Sequence, residues 1–119
     1  MVRDLVVRSG ASAVFINYTP SPEVQYPVAI NEIYAATKWV AENGKQINVD
    51  GSRLAVMGNS VGGNMATVTA IKAKEQGGSN IKLQVLLWPV MDASFSQKSY
   101  DTYAEDCFLT TSLMQWMWD

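Results

Sequence analysis

The sequence contains no histidine and, across 119 residues, a single cysteine, Cys107. Histidine is the side chain whose ordinary pKa lets it exchange protons near neutral pH, so this chain holds no ready-made imidazole base. One thiol cannot close an internal disulfide. That excludes a disulfide-stapled secreted scaffold and points to a reducing compartment, the cytoplasm, with Cys107 read as a small apolar residue. No apolar run reaches the roughly 18 residues of a membrane span, and the opening MVRDLVVRSGASAVF lacks the apolar core and cleavage pattern of a signal peptide. An excess of one charge is missing too. Nine basic and eleven acidic side chains are scattered along the chain for a net charge of -2, so no strong field exists to hold a phosphate backbone or an anionic bilayer. Neither nucleic acid nor a membrane is expected as a partner. What remains is ordinary: 48% hydrophobic and 17% charged residues, without internal repeats or low complexity, are enough for one domain over residues 1–119 with a buried core.

Three short apolar runs read as strands: Ala13 to Tyr18, Arg53 to Met57 and Leu83 to Trp88. They are continuous rather than alternating, as in strands covered on both faces, and helical patterns separate them where hairpin turns would otherwise stand. A three-layer α/β/α architecture with a mostly parallel sheet follows. Between the first two runs, Pro20, Pro22 and Pro27 punctuate a loop. Ala29, Ile33, Ala36 and Val40 then recur at helical spacing, with Asn31, Lys38 and Glu42 on the other face and Asn43-Gly44 as the stop. This helix, about Val28 to Asn43, is expected to cover the sheet. A second helix, Gly62 to Gln76, carries Lys72 and Lys74 in its last turns, where cations suit the negative helix end, and Gly77-Gly78 lies beyond it. The tail from residue 94 to 119 is polar and aromatic at first and ends in a short apolar stretch that a Thr or Ser could cap as a helix. Met114, Trp116, Met117 and Trp118 cannot all face one way, so some of this apolar area must meet a partner segment or stay exposed.

The second run leads directly into Gly58-Asn59-Ser60-Val61-Gly62-Gly63-Asn64, a G-x-S-x-G string between a strand and a helix. A serine at such a corner is forced into a strained backbone conformation that lifts its hydroxyl above the sheet. Small residues on either side, here Gly58 and Gly62, let strand and helix approach. The helix that starts there aims unpaired N–H groups and its positive dipole end at the place where an oxyanion would form, with the Val61 N–H first. Ser60 is therefore the candidate nucleophile; the competing reading is a tight turn in which Ser60 only caps the helix. A dinucleotide fingerprint needs glycine at position 60 and a P-loop needs lysine after Gly63, so phosphate cradling fits worse.

Four stretches, Val14 to Tyr18 with Ser21-Pro22-Glu23 and Tyr26-Pro27, Val49 to Val56, Gly58 to Asn64, and Leu86 to Pro89, give the chain a resemblance to the α/β-hydrolase fold. Within that fold it resembles the hormone-sensitive-lipase-like (fold-3) esterases. The resemblance implies a partial α/β-hydrolase domain, with residues 94–119 at the start of a cap that shapes the substrate pocket. It implies a serine carboxylesterase for short to medium acyl esters, with a small-molecule ester as substrate and neither cofactor nor metal. Ser60 is then the nucleophile, Val61 an oxyanion donor, and Gly58, Asn59, Gly62 and Gly63 the elbow. Asn59 departs from the Asp common at that position in the family.

The same resemblance places the His-Gly-Gly-Gly oxyanion segment upstream of Met1 and the acid and histidine of the triad downstream of Asp119, so the isolated chain is expected to be inactive. It also places a strand from outside this stretch between the runs at Ala13 and Arg53. An unpaired edge, direct pairing of those two runs, or another chain in the gap are the three ways to resolve that, and self-association through the edge is one consequence. Inside the chain no base replaces histidine. Lys72 and Lys74 lie some twelve helical residues from Ser60, roughly 18 Å, and Lys38 and Lys45 lie toward the far end of the sheet. Asp92 follows the third run and reads as a loop or helix-cap aspartate. Trp88, Tyr100, Tyr103, Trp116 and Trp118 could line an acyl pocket, while Trp39 and Trp88 read as core. The alternative to an esterase is a non-catalytic truncated α/β module used for binding or assembly; a nucleotide-binding half-domain is a third reading.

Overall fold

The computed structural model describes residues 1–118. In chain order the elements are helix α1 (Val2–Ser9), helix α2 (Val28–Asn43), a 3-10 turn at Gly44–Ile47, strand β1 (Leu54–Asn59), helix α3 (Val61–Glu75), strand β2 (Ile81–Leu87), and the short helices α4 (Lys98–Thr102) and α5 (Thr111–Trp118). The two strands run parallel, with Ala55 opposite Leu83 and Asn59 opposite Leu87, and the register shifts once between Leu54 and Ala55. A parallel pair needs a long crossover, and α3 supplies it while packing on both strands. The fold class expected from the sequence therefore holds in partial form: a parallel two-stranded sheet with helices upon it.

The run Ala13 to Tyr18 departs from expectation, since it pairs with no strand among the described residues. A strand exists only through hydrogen bonds to a neighbour. Of the three outcomes, direct pairing of this run with β1 does not occur among the described residues. What holds the run is its far end: the Glu32 carboxylate on α2 accepts the Thr19 N–H at 2.7 Å and the Thr19 hydroxyl at 3.0 Å. Val14 and Phe15, 48% and 75% exposed, are left in solvent.

Helix α2 forms over the expected residues but packs differently. Its main partner is α3 rather than the strands, and its buried line is Ile30, Tyr34, Thr37 and Val40, with Ala29, Ile33 and Ala36 only half-buried. The helical period places both lines on adjacent faces; the partner's position selected between them. Helix α3 buries Gly63, Ala66, Thr69 and Ala73, a row of small residues. Lys72 reaches from α3 to α2, donating to Asn31 Oδ1 at 3.3 Å with its ammonium 5.5 Å from the Tyr34 ring centre. Helix α1 was not anticipated from the sequence. Gly10, at φ 69°, ends it with its N–H on the Val6 carbonyl, yet none of its residues is buried. At the other end Thr110 caps α5, accepting the Leu113 N–H at 3.2 Å, and Trp116 and Met117 remain 72% and 56% exposed. Among the described residues no helix is long and apolar enough to cross a membrane.

Candidate active site

Gly58 and Asn59 are still paired to Leu86 and Leu87 when the chain turns into α3, leaving one residue, Ser60, to change direction. It does so at φ 53°, ψ -123°, a backbone state that costs a residue with a Cβ on the order of 1–3 kcal/mol. Hydrogen bonds on both sides hold it there. The Ser60 N–H donates to the Leu87 carbonyl at 3.0 Å, and the Ser60 carbonyl accepts the N–H groups of Gly63 at 3.0 Å and Val90 at 3.2 Å. The side chain is left out of this network: Ser60 makes no side-chain bond to the helix it precedes. A serine kept merely as a cap would use its hydroxyl on the N–H two or three residues on, whereas the Gly63 N–H is taken by the Ser60 carbonyl. The Val61 N–H, first in the helix, has no acceptor among the described residues.

Close approach explains two of the three surrounding glycines. A Cβ on Gly58 would run into the Gly62 carbonyl group, and one on Gly63 would lie 2.7 Å from the Pro89 Cβ. Gly62 is different from the expectation that a small side chain is needed there: nothing lies within 4 Å of a Cβ at that position, and it is the main chain of Gly62 that excludes a larger residue at 58. Asn59 is exposed at the end of β1.

After β2 the chain folds back over the same corner. Trp88 takes φ 37°, Pro89 packs on Gly63, and the Asn64 amide donates to the Val90 carbonyl at 2.9 Å. Asp92 closes a local turn by accepting the Ser94 N–H at 2.9 Å, the loop role expected of it. The reading of Trp39 and Trp88 as core does not hold: they are 44% and 70% exposed, because Trp39 lies off the α2 face that meets α3 and Trp88 lies one residue beyond the last strand pair. Tyr103 and Trp116 are 62% and 72% exposed. The best-formed hollow, about 620 Å³, lies at the opposite end of the strands between Gly51–Arg53 and Gly77–Lys82, without Ser60. Lys72 is occupied by α2, and Lys38 by Glu42 at 3.9 Å. The described residues hold no cluster of metal-ligating side chains. The bonds of Asn64 and the seat of Pro89 were not foreseen from the sequence; the only hint was an amide in the first turn of a helix whose neighbouring strand ends in Trp-Pro.

Comparison with known proteins bears on the family of the chain. A family model described as the alpha/beta hydrolase fold matches residues 1–119. A thermostable esterase from Pseudomonas putida ECU1011, known as a crystal structure, is 64% identical with a TM-score of 0.94 over 99% of this chain and 37% of its own. Esterase LipI of Mycobacterium tuberculosis is 44% identical over 73% of this chain and 27% of its own length, and the ethyl acetate hydrolase of Pseudomonas putida is 30% identical over 97% and 36%. The chain thus spans about a third of the length of the relatives it matches. With strand, corner and helix in the family's order and the match running from end to end, the chain belongs to the alpha/beta hydrolase family, in its hormone-sensitive-lipase-like branch.

Proposed function

We propose that this chain is the nucleophile-bearing portion of a serine carboxylesterase for short to medium acyl esters. The observation that carries the reading is Ser60 itself, held at φ 53° between β1 and α3 with its hydroxyl outside every helix-capping bond and the unused Val61 N–H beside it. In the reaction the Ser60 Oγ bonds to the ester carbonyl carbon as its proton passes to a histidine from another part of the enzyme. The carbonyl oxygen becomes an oxyanion facing the Val61 N–H and donors from the upstream glycine segment. Collapse expels the alcohol, which takes the proton from the imidazolium; water then repeats the sequence and frees the acid. Gly58 and Gly63 serve by letting the corner close, Asn59 and Gly62 by leaving it open to solvent. No metal or cofactor takes part in this scheme. We place the enzyme in the cytoplasm, with a small ester as its partner.

A relative adds support. In structures of esterase rPPE, 63% identical to this chain, a serine was replaced by alanine and a tryptophan by histidine at positions spaced as Ser60 and Trp88 are. The test is covalent labelling of the complete enzyme with a fluorophosphonate. Labelling should fall on Ser60 and vanish in Ser60→Ala together with ester hydrolysis; turnover surviving Ser60→Ala would overturn the reading. Residues 1–119 alone should give no acylation burst with an activated ester, because the base is not among them.

A further inference from the structure

Resting on Ser60 as the nucleophile, we infer that Asn64 is a positioning residue that sets acyl selectivity by fastening the turn that carries Trp88 against the Ser60 peptide. The turn from Leu87 to Val90 brackets the Ser60 peptide: the Leu87 carbonyl accepts the Ser60 N–H, and the Val90 N–H donates to the Ser60 carbonyl at 3.2 Å. Trp88 and Pro89 are the two residues between those bonds. Pro89 is seated on Gly63, whereas Trp88 is 70% exposed and held at φ 37°, a conformation a bulky residue adopts only when its surroundings impose it. Two bonds to Val90 impose it here, one from its N–H to the Ser60 carbonyl and one from the Asn64 amide to its carbonyl at 2.9 Å. The first belongs to the main chain and survives any substitution. The second depends on a single side chain from the first turn of α3, part-buried and reaching across 26 positions of sequence.

Loss of the Asn64 bond leaves Trp88 free to relax from its strained state, and the indole then stands elsewhere relative to Ser60. Trp88 is exposed and directly follows Leu87, whose carbonyl accepts the Ser60 N–H; on this proposal its indole meets the acyl group, so the change should fall on discrimination between esters more than on the chemistry of Ser60.

The experiment uses the complete esterase and p-nitrophenyl esters of acetate, butyrate and a branched acyl group. Asn64→Asp, which keeps the shape and loses the donor, and Asn64→Leu, which removes the polar group, should each change the ratio of kcat/KM between acetate and the branched ester by roughly fivefold, the worth of one neutral hydrogen bond. In a Trp88→Ala background the same substitutions should leave that ratio unchanged, since the residue they act through is gone. Equal loss of kcat for all three esters, or a selectivity change that persists without Trp88, would mean that Asn64 only supports the fold, and the inference fails. Hydrogen exchange on the unsubstituted protein provides an arm independent of variant folding: the Asn64 side-chain amide, which donates to the Val90 carbonyl, should exchange slowly, and exchange at the rate of a free side-chain amide overturns the proposal. Ser60→Ala separates the two readings: hydrolysis that survives it defeats Ser60 as the nucleophile, whereas loss of hydrolysis in Ser60→Ala together with unaltered selectivity in the Asn64 variants defeats only the role of Asn64.

Discussion

At the scale of single residues, the corner between β1 and α3 is governed by atoms that are absent. Gly58 has no Cβ because the Gly62 carbonyl fills that space. Gly58→Ala should therefore be far more damaging than an ordinary glycine substitution: the main chain on which it would press cannot rotate away as a side chain can, and the cost should exceed the 1–3 kcal/mol or so of a simple overpacking. Gly62→Ala meets open space on the described side and should be milder. Thermal unfolding of the two variants compares them directly. Thr69 makes the opposite case. It is fully buried on α3 with its hydroxyl unpartnered, a group that lost its water and gained nothing. Thr69→Val, nearly the same in shape, should be neutral or stabilising by up to about 1–2 kcal/mol, measured as a rise in the denaturation midpoint. Thr37 on the facing helix differs because its hydroxyl is satisfied by the Ile33 carbonyl at 2.8 Å.

Among the elements, local chemistry and packing can be separated. The turn that feeds β1 is built around Asp50, whose carboxylate accepts the Ser52 hydroxyl at 2.6 Å, the Ser52 N–H at 3.0 Å and the Arg53 side chain at 2.6 Å. These bonds, the Ser52 hydroxyl foremost and then Arg53, lower the Asp50 pKa from 3.8 to about 2. Because the folded value lies below the unfolded one, the contribution of this turn is complete above about pH 4 and is lost as the pH falls toward 2. NMR titration of the Asp50 carboxyl should find its midpoint near the lower value, and Ser52→Ala should raise it. Helix α5 depends on its start: with Thr110→Ala the Leu113 N–H loses its acceptor, and the helix should weaken by about 1 kcal/mol, read from the chemical shifts of residues 111–118. Glu32 ties the unpaired run to α2 through both of its oxygens, so Glu32→Ala should speed exchange of the Thr19 amide without disturbing the contact of α2 with α3.

The whole molecule has more surface than its mass warrants. Its radius of gyration is 16.2 Å, against about 13.5 Å for a self-contained domain of this length. The accessible area of 8831 Å² exceeds by roughly 2,400 Å² that of a monomeric protein of 13.1 kDa. Among the described residues each strand has one neighbour, and Val14, Phe15, Trp116 and Met117 are exposed. An open strand edge is a template for another strand, and an excess of this size is on the order of what permanent complexes bury. Residues 1–119 taken alone should accordingly self-associate at micromolar concentration and bind a hydrophobic dye. Sedimentation as a concentration-independent monomer would show that the edge is protected.

How much could be read from the chain alone follows from the range of the forces involved. The sequence by itself determined α2, α3, the two paired strands and the place of Ser60, since helical period, apolar runs and glycines around a serine act over a few neighbouring positions. Tertiary structure alone decided which face of α2 is buried, that Ala13 to Tyr18 stays unpaired, that Trp39 and Trp88 face solvent, and that Asn64 and Pro89 close over the corner. Each of these depends on what lies across a gap of many residues, and a sequence pattern states that a side chain can be buried or bonded without naming the partner that does it.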